Sequence, residues 1–161
     1  MQAGPSLSVP TRSVSWRRSL GIVALFALAG PLLGGLGVNL LLTAVSVAQG
    51  LGDGAAGDLA RRLVGGIIGG SIFAVLLAYA IGTAPALVVG AVMAACDRRG
   101  RGLTYGDAAA AALACALVAA AGVVLLVEPG ARAAWIAALV TAHLLGALGC
   151  TWAARRWPGP A

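Results

Sequence analysis

Charged residues divide this sequence into long apolar stretches. Four stretches carry no charge, at positions 19–52, 63–96, 108–127 and 133–154. The second, Leu63–Cys96, is 34 residues long and lies between an Arg-Arg pair and an Asp-Arg-Arg run. A soluble core segment of that length would leave a large apolar surface in water. The pattern therefore predicts helices that cross a lipid bilayer.

The lengths of these stretches predict four crossings. A spanning helix needs about 20 residues, which the third and fourth stretches supply. The first two are too short for two crossings with a turn, so each is expected to cross once and to be kinked, tilted or extended along the interface. The predicted fold class is all-α, an integral membrane bundle of four transmembrane helices at about 20–48, 64–96, 108–127 and 133–154. The first two are expected to be long and kinked by glycine and proline.

The segments around the helices predict the topology. We expect a disordered cytoplasmic tail at residues 1–18, a transmembrane domain at 19–154 and a short cytoplasmic tail at 155–161. A short helix is expected near Asp58–Arg62, and a tight turn at Glu128–Arg132. With the N-terminus inside, eight arginines flank the helices on the cytoplasmic side and three on the other. The positive-inside rule then predicts that both termini are cytoplasmic, and we interpret the location as a bacterial inner membrane.

An export signal is the alternative for the N-terminal stretch. Arg17-Arg18 before an apolar run is typical of a twin-arginine signal. The apolar region of a signal peptide spans about 7–15 residues, whereas this stretch continues to Gly52. An uncleaved membrane anchor accounts for the same residues more simply.

Composition and charge limit the partners. Hydrophobic residues make up 60% of the chain and charged residues only 10%, against roughly a quarter in soluble domains. A net charge of +6 would suggest nucleic-acid binding in a soluble protein. Here the arginines cluster at the ends of apolar stretches, where they anchor helices at an anionic membrane surface. The expected partner is the lipid bilayer, together with further copies or other membrane subunits, and no nucleic acid.

Cysteine spacing gives no sign of a disulfide framework or of a metal site. The chain has three cysteines, and none of them forms a CxxC pair. We expect reduced, packed thiols and no metal or cofactor. The three are Cys96, Cys115 and Cys150.

Glycine pairs at four-residue spacing indicate close helix packing. Small residues let helix backbones approach in lipid, where dispersion replaces the hydrophobic driving force. Such pairs serve either as a dimer interface or as contacts within the bundle, and we favour the second interpretation. The pairs are Gly65/Gly69, Gly66/Gly70 and Gly30/Gly34.

Two prolines interrupt the first two helices at matched depth. Pro31 lies 13 residues after Arg18, and Pro85 lies 12 residues before Asp97. In antiparallel helices both then lie about 18–20 Å from the cytoplasmic flank. Transporters place binding sites at paired broken helices of this kind. Two unrelated kinks are the simpler interpretation, and we favour it.

One histidine, His143, lies in the middle of the last helix, at the same depth as the prolines. Ionisable groups there are costly and face the bundle interior or a wet cavity. The imidazole could relay protons or bind a substrate, or be a neutral group bonded to a threonine or a free carbonyl. The candidate mid-membrane polar site comprises His143, Thr141, Thr83, Tyr79 and Asn39. Asn39 also begins a polar stripe, continued by Thr43 and Ser46, that either lines a path or joins helices.

No catalytic constellation is present in the sequence. The histidine lies at mid-membrane, whereas every Asp and Glu flanks a stretch at a membrane surface, so no nucleophile, base and acid come together. An enzyme is not expected. Three functions remain, in order of preference: a structural or accessory protein, such as a subunit of a complex; a small oligomeric transporter or channel with a cavity near His143; and a holin-like permeabilising protein.

Overall fold

A computed structural model describes residues 15–52 and 56–157. Within these ranges the chain forms four long helices and no strand: α1 (Trp16–Gly52), α2 (Leu59–Arg98), α3 (Tyr105–Leu126) and α4 (Pro129–Arg156). A single 3₁₀ turn, Ala56–Asp58, precedes α2. All four helices are long and apolar enough to cross a membrane. The predicted all-α bundle of four transmembrane helices is confirmed.

Most helices extend beyond the predicted bounds. Helix α1 begins at Trp16, so residues 16–18 are helical rather than part of a tail. Helix α4 starts at Pro129, so only Glu128 of the predicted turn at 128–132 lies outside a helix, and the connection consists of Val127 and Glu128. Residues 1–14 and 158–161 of the two predicted tails lie outside the described residues. At 37 residues, α1 is about 55 Å long, more than the ~40–45 Å of a whole bilayer, so it must tilt or project.

Helix α2 contains a widened segment that the sequence did not predict. It is α-helical over Leu59–Val64, π-helical over Gly65–Gly70 and α-helical again from Ser71. Turns of π-helix are rare and short. Here the segment is Gly-Gly-Ile-Ile-Gly-Gly, in which four of six residues lack a side chain that could resist the wider turn. The short helix expected near Asp58–Arg62 is the first part of α2.

Capping residues set the connection between α2 and α3. Gly100 has φ +74°, and the next amide, Arg101 N, donates to Cys96 O at 3.2 Å, which is the hydrogen bond of a Schellman motif. Thr104 Oγ1 accepts from Asp107 N at 3.0 Å and so caps the first turn of α3. The chain therefore reverses direction within six residues.

Contacts between helix ends show how the helices are oriented. Arg18 Nε, at the start of α1, donates to Asp97 Oδ2, at the end of α2. A Cβ on Gly21 would lie 2.8 Å from the ring of Trp157, which follows α4. Helix α1 is thus antiparallel to both α2 and α4 and packs against both, while α3 packs mainly against α4. We call this end of the bundle, which also holds Arg155, the basic end, and the opposite one the far end.

The tightly packed core lies in the half of the bundle nearest the basic end. Phe26 and Met93 are almost fully buried there. Ala108 and Ala112 of α3 are also fully buried, because alanine lets α3 approach its neighbours closely. This core does not continue to the far end, and the candidate site lies where it stops.

Candidate functional site

A cavity of about 400 Å³ lies between α1, α2 and α4, extending from the middle of the bundle towards the far end. Half of its 26 lining residues are glycine or alanine, so the space exists because these walls lack side chains that would fill it. Bulkier side chains line all three helices: Phe26 and Leu42 on α1, Phe73, Leu77 and Ile81 on α2, and Trp135 and Leu139 on α4. The cavity is partly open, because α2 and α4 contact each other little.

Both predicted helix-interrupting prolines line this one cavity. Pro31 lies on the α1 wall and Pro85 on the α2 wall. Gly82 lies next to Pro31, because a Cβ on Gly82 would be 3.8 Å from the Pro31 Cβ, in ordinary van der Waals contact. Proline removes a hydrogen bond from its helix. The structure therefore places two weakened helix turns beside the same volume.

His143 contributes its ring to the α4 wall. Its Nδ1 lies 2.7 Å from the carbonyl oxygen of Leu139, one turn earlier in the same helix. Its Nε2 is buried and has no hydrogen-bond partner among the described residues. Only three lining residues carry a polar side-chain atom: His143, Asn39 and Trp135. An unpartnered buried nitrogen is rare and calls for a physical explanation.

Asn39 borders the cavity but uses its amide to join helices. Its Nδ2 donates to Gly66 O at 2.9 Å and to Ser71 Oγ at 3.0 Å, both on α2. One turn later Thr43 is also buried, against Gly66. This part of the predicted polar stripe holds α1 to the π-helical segment, as interhelical hydrogen bonds do in membranes.

Three other residues of the predicted polar site do not line the cavity. Thr83 Oγ1 donates to Tyr79 O at 2.6 Å within α2. The Tyr79 hydroxyl donates to Leu28 O of α1, in the turn before Pro31. Thr141 is half-buried on α4 and is not a lining residue. The structure thus brings His143 and Asn39 to the cavity and leaves Thr83, Tyr79 and Thr141 outside it.

The glycine pairs differ in what they contact. A Cβ on Gly66 would lie 2.6 Å from Thr43 Oγ1, and one on Gly70 would lie 2.5 Å from Asn39 Oδ1, so this pair packs against α1. A Cβ on Gly65 or on Gly69 would have no atom of another described residue within 4 Å. One of the two overlapping pairs serves contacts within the bundle, and the other faces outwards.

The basic end is closed by polar contacts between α1 and α2. Asp97 is 7% exposed and pairs with Arg18 at 2.8 Å. The next residue, Arg98, donates from Nε to Ser19 Oγ at 2.8 Å. The sequence predicts Asp97 at a membrane surface with the other acids, whereas the structure buries it between two helices. Its position directly after an apolar stretch, at the depth of Arg18 in an antiparallel helix, was the available signal.

Within residues 15–52 and 56–157, no three His, Cys, Asp or Glu residues are grouped so that they could hold a metal ion. The three cysteines are free thiols.

Comparison of the chain with known protein families, with characterised proteins and with solved structures finds no match.

Proposed function

We propose that this protein is a small membrane carrier that binds an apolar or amphiphilic molecule in the cavity between α1, α2 and α4. The observation that carries the proposal is the cavity itself: about 400 Å³, apolar, and bordered by His143 and both prolines. Its volume falls within the ~300–1,000 Å³ range of ligand sites. A binding role of this kind needs no catalytic group.

The walls favour an apolar occupant. Small side chains and hydrocarbon surround the space, and only three of the lining residues carry a polar side-chain atom. A water-filled path for ions would need several hydrogen-bonding groups along its wall to replace the hydration shell. A molecule already dissolved in the lipid meets no such requirement, because it moves from one apolar surrounding to another.

The difference between the two ends supports a carrier. At the basic end, the Arg18–Asp97 pair and the core around Phe26 close the bundle. In the other half, the cavity is partly open and both prolines border it. Alternating access requires one closed end and one open end in each state.

We further propose that the basic end is cytoplasmic, with both chain termini, in a bacterial inner membrane. Seven described arginines lie at this end and three at the other, which is the bias of the positive-inside rule. Labelling of Gly100→Cys and Gly130→Cys with a membrane-impermeant thiol reagent, in a background without the native cysteines, tests this. Gly100→Cys should react only after the cells are opened, and Gly130→Cys in intact cells.

Fluorescence quenching tests the binding role. Of the four tryptophans, only Trp135 lines the cavity, so a variant retaining Trp135 alone reports the site. In lipid vesicles we expect 1-bromododecane to quench this fluorescence in two phases. One phase saturates as the cavity fills, and the other rises linearly through collisions in the lipid.

Two matched glycine variants locate the saturable phase. Gly82→Leu adds four carbons inside the cavity wall, whereas Gly122→Leu adds them where a built Cβ has nothing within 4 Å. The saturable phase should be lost in Gly82→Leu and kept in Gly122→Leu. Equal quenching curves for the parent and both variants would contradict the carrier proposal.

A structural or accessory role is the second candidate, and one observation supports it. Gly65 and Gly69 form a small-residue pair that faces away from the bundle, the arrangement used for close contact with another membrane helix. Under this proposal Gly69→Leu should reduce association with a second copy or another subunit in chemical cross-linking, while Gly122→Leu should not. Unchanged cross-linking would remove the support.

A further inference from the structure

A separate groove lies between α1 and α2 near the basic end. Its volume is about 230 Å³, and it shares no lining residue with the cavity between α1, α2 and α4. Its apolar lining consists of Ala91, Ala94 and Ala95 on α2 and of Leu20 and Val23 on α1. Leu20, Ala91 and Ala95 are exposed, so the groove is open to the lipid around the bundle. We call it the side groove.

One side of α2 is apolar along the side groove and ends in an arginine. Ala91, Ala95 and Arg98 all line the groove. They are four and then three residues apart, which places them on one side of the helix. Arg98 is about 10 Å nearer the basic end than Ala91. The groove therefore combines hydrocarbon over most of its length with a cation at its outer end.

The guanidinium group of Arg98 is held in place but keeps most of its donors free. Its Nε donates to Ser19 Oγ at 2.8 Å, and Ser19 is 4% exposed and lines the groove too. The four N–H bonds of the two terminal nitrogens have no acceptor among the described residues. The neighbouring carboxylate, Asp97, pairs with Arg18 instead. Arg98 thus presents a positioned charge without an acidic partner in the described part of the chain.

The location of this charge indicates what it meets in a membrane. Trp16, Trp152 and Trp157 are all exposed at the basic end, and exposed tryptophans are typical of the depth of the lipid headgroups. Seven described arginines but only two described acids, Asp97 and Asp107, lie at this end. An apolar groove that ends in a cation at this depth is complementary to an acyl chain that ends in a negative charge.

We infer that the side groove binds one anionic phospholipid, whose phosphate accepts hydrogen bonds from Arg98 and whose acyl chain lies over Ala91 and Ala95. The planar guanidinium donates two parallel hydrogen bonds to a phosphate, which suits arginine to this ligand. A zwitterionic lipid has the same phosphate, but its headgroup brings a second cation into surroundings that are already positive. The site is independent of the carrier proposal, since it uses neither the other cavity nor His143.

The volume of the groove sets how much of the lipid it holds. At ~30 Å³ for a group of the size of water or methylene, 230 Å³ has room for roughly eight such groups. That is the half of one acyl chain nearest the headgroup. A lipid with a single chain should therefore bind as well as one with two chains.

Native mass spectrometry of the full-length protein in a neutral detergent counts the bound lipids. The probes are dioleoylphosphatidylglycerol, which carries one negative charge, and dioleoylphosphatidylcholine, which has the same chains and no net charge. We expect the first phosphatidylglycerol to bind about fivefold more tightly than the first phosphatidylcholine, the ratio given by one charge interaction at a membrane surface. Lysophosphatidylglycerol, with one chain, should displace it, whereas glycerol 3-phosphate, with none, should not.

Two arginine variants change the net charge equally and locate the phosphate. Arg98→Gln removes the cation of the side groove, and Arg99→Gln removes the next arginine, which is exposed and does not line the groove. Arg98→Gln should weaken binding of the first phosphatidylglycerol about tenfold, the ratio supplied by one hydrogen bond to a charged group. Arg99→Gln should weaken it less than about threefold, as a distant surface charge does.

Two alanine variants locate the acyl chain. Ala95→Phe places a ring in the side groove, and Ala114→Phe places one at an exposed position of α3 that does not line it. Both rings have room, because both alanines are exposed. Binding of phosphatidylglycerol should fall in Ala95→Phe and remain at the parent level in Ala114→Phe.

Each comparison has a result that overturns the inference. Equal affinities of Arg98→Gln and Arg99→Gln for phosphatidylglycerol would show that Arg98 does not hold the phosphate. Equal affinities of the two phenylalanine variants would show that the chain lies elsewhere. Equal binding of the two lipids removes the preference for an anionic headgroup. Displacement by glycerol 3-phosphate as effective as that by lysophosphatidylglycerol would reveal a phosphate site that does not use the groove.

Discussion

The contact between α1 and α4 leaves no room for side chains. A Cβ on Gly34 would lie 2.6 Å from the Ala142 carbonyl oxygen and 3.2 Å from its carbon. One turn away, a Cβ on Gly146 would lie 2.7 Å from the Gly30 carbonyl oxygen. Because the obstacles are backbone atoms, they cannot rotate out of the way. Replacing Gly34 with alanine must therefore move the two helices apart.

The loss of stability expected for Gly34→Ala follows from two opposing terms. Forcing an extra methyl into a well-packed contact costs about 1–3 kcal/mol, and alanine is favoured over glycine in a helix by up to about 1 kcal/mol. The variant Gly122→Ala isolates the second term, because a built Cβ there meets nothing within 4 Å. Subtracting one variant from the other cancels the helix propensity. Gly34→Ala should be about 1–3 kcal/mol less stable than Gly122→Ala.

The free energy of unfolding of each variant can be measured by titrating detergent micelles with sodium dodecyl sulfate and following helix content. The double variant Gly34→Ala/Gly146→Ala should lose less than the sum of the single losses, since the first change already separates the same two helices. Equal stability of Gly34→Ala and Gly122→Ala would refute the close α1–α4 contact. Full additivity would show that the two glycines act at separate contacts.

Two further predictions concern the polar contacts of α1, measured in the same unfolding titration. Asp97→Asn should lower the free energy of unfolding by about 1–3 kcal/mol, the worth of a hydrogen bond to a charged group, because it weakens the buried pair with Arg18. Asp58→Asn is the control: its pair is exposed, so the loss should be under about 1 kcal/mol. Equal losses in the two variants would contradict this prediction. Asn39→Leu should lower the free energy of unfolding by about 1–2 kcal/mol, because it removes two interhelical hydrogen bonds. Thr141→Val, outside the cavity wall, should change that free energy by under ~0.5 kcal/mol.

The sequence predicted the number of helices because charge is so costly in lipid that its positions bound the apolar stretches. The same counting placed Pro31, Pro85 and His143 at one depth, and the structure brings all three to one cavity. Depth along an antiparallel bundle follows from residue number alone. Which face of a helix meets its neighbour does not, which is why Thr83 and Tyr79, although close in depth, lie outside the cavity.

Other features depend on packing that the sequence pattern does not encode. The apolar stretches are hydrophobic on every side, so no periodicity shows which half of the bundle packs tightly. Helix ends are also hidden, since α1 continues through Arg17 and Arg18, where charge had suggested a boundary. The π-helical segment at Gly65–Gly70 was interpreted only as glycine pairs, because a wider turn leaves no distinct signature in residue type.

Photolabelling tests the central claim, that the cavity is a ligand site, most directly. The probe is a 12-carbon alcohol with a diazirine at the end of its chain, added to the protein in lipid vesicles and activated by light. Peptide mass analysis then gives the modified residues. Helix α3 provides an internal reference for random labelling from the lipid, because Leu117 and Val118 are 70% and 77% exposed and lie away from the cavity.

The account predicts that labelling is concentrated on cavity residues such as Leu77, Ala138 and Leu139 and that excess 1-dodecanol suppresses it there while labelling of α3 is unchanged. Labelling spread over the helices in proportion to their lipid exposure, with no suppression by 1-dodecanol, would contradict the account and show that the space between α1, α2 and α4 is not a binding site.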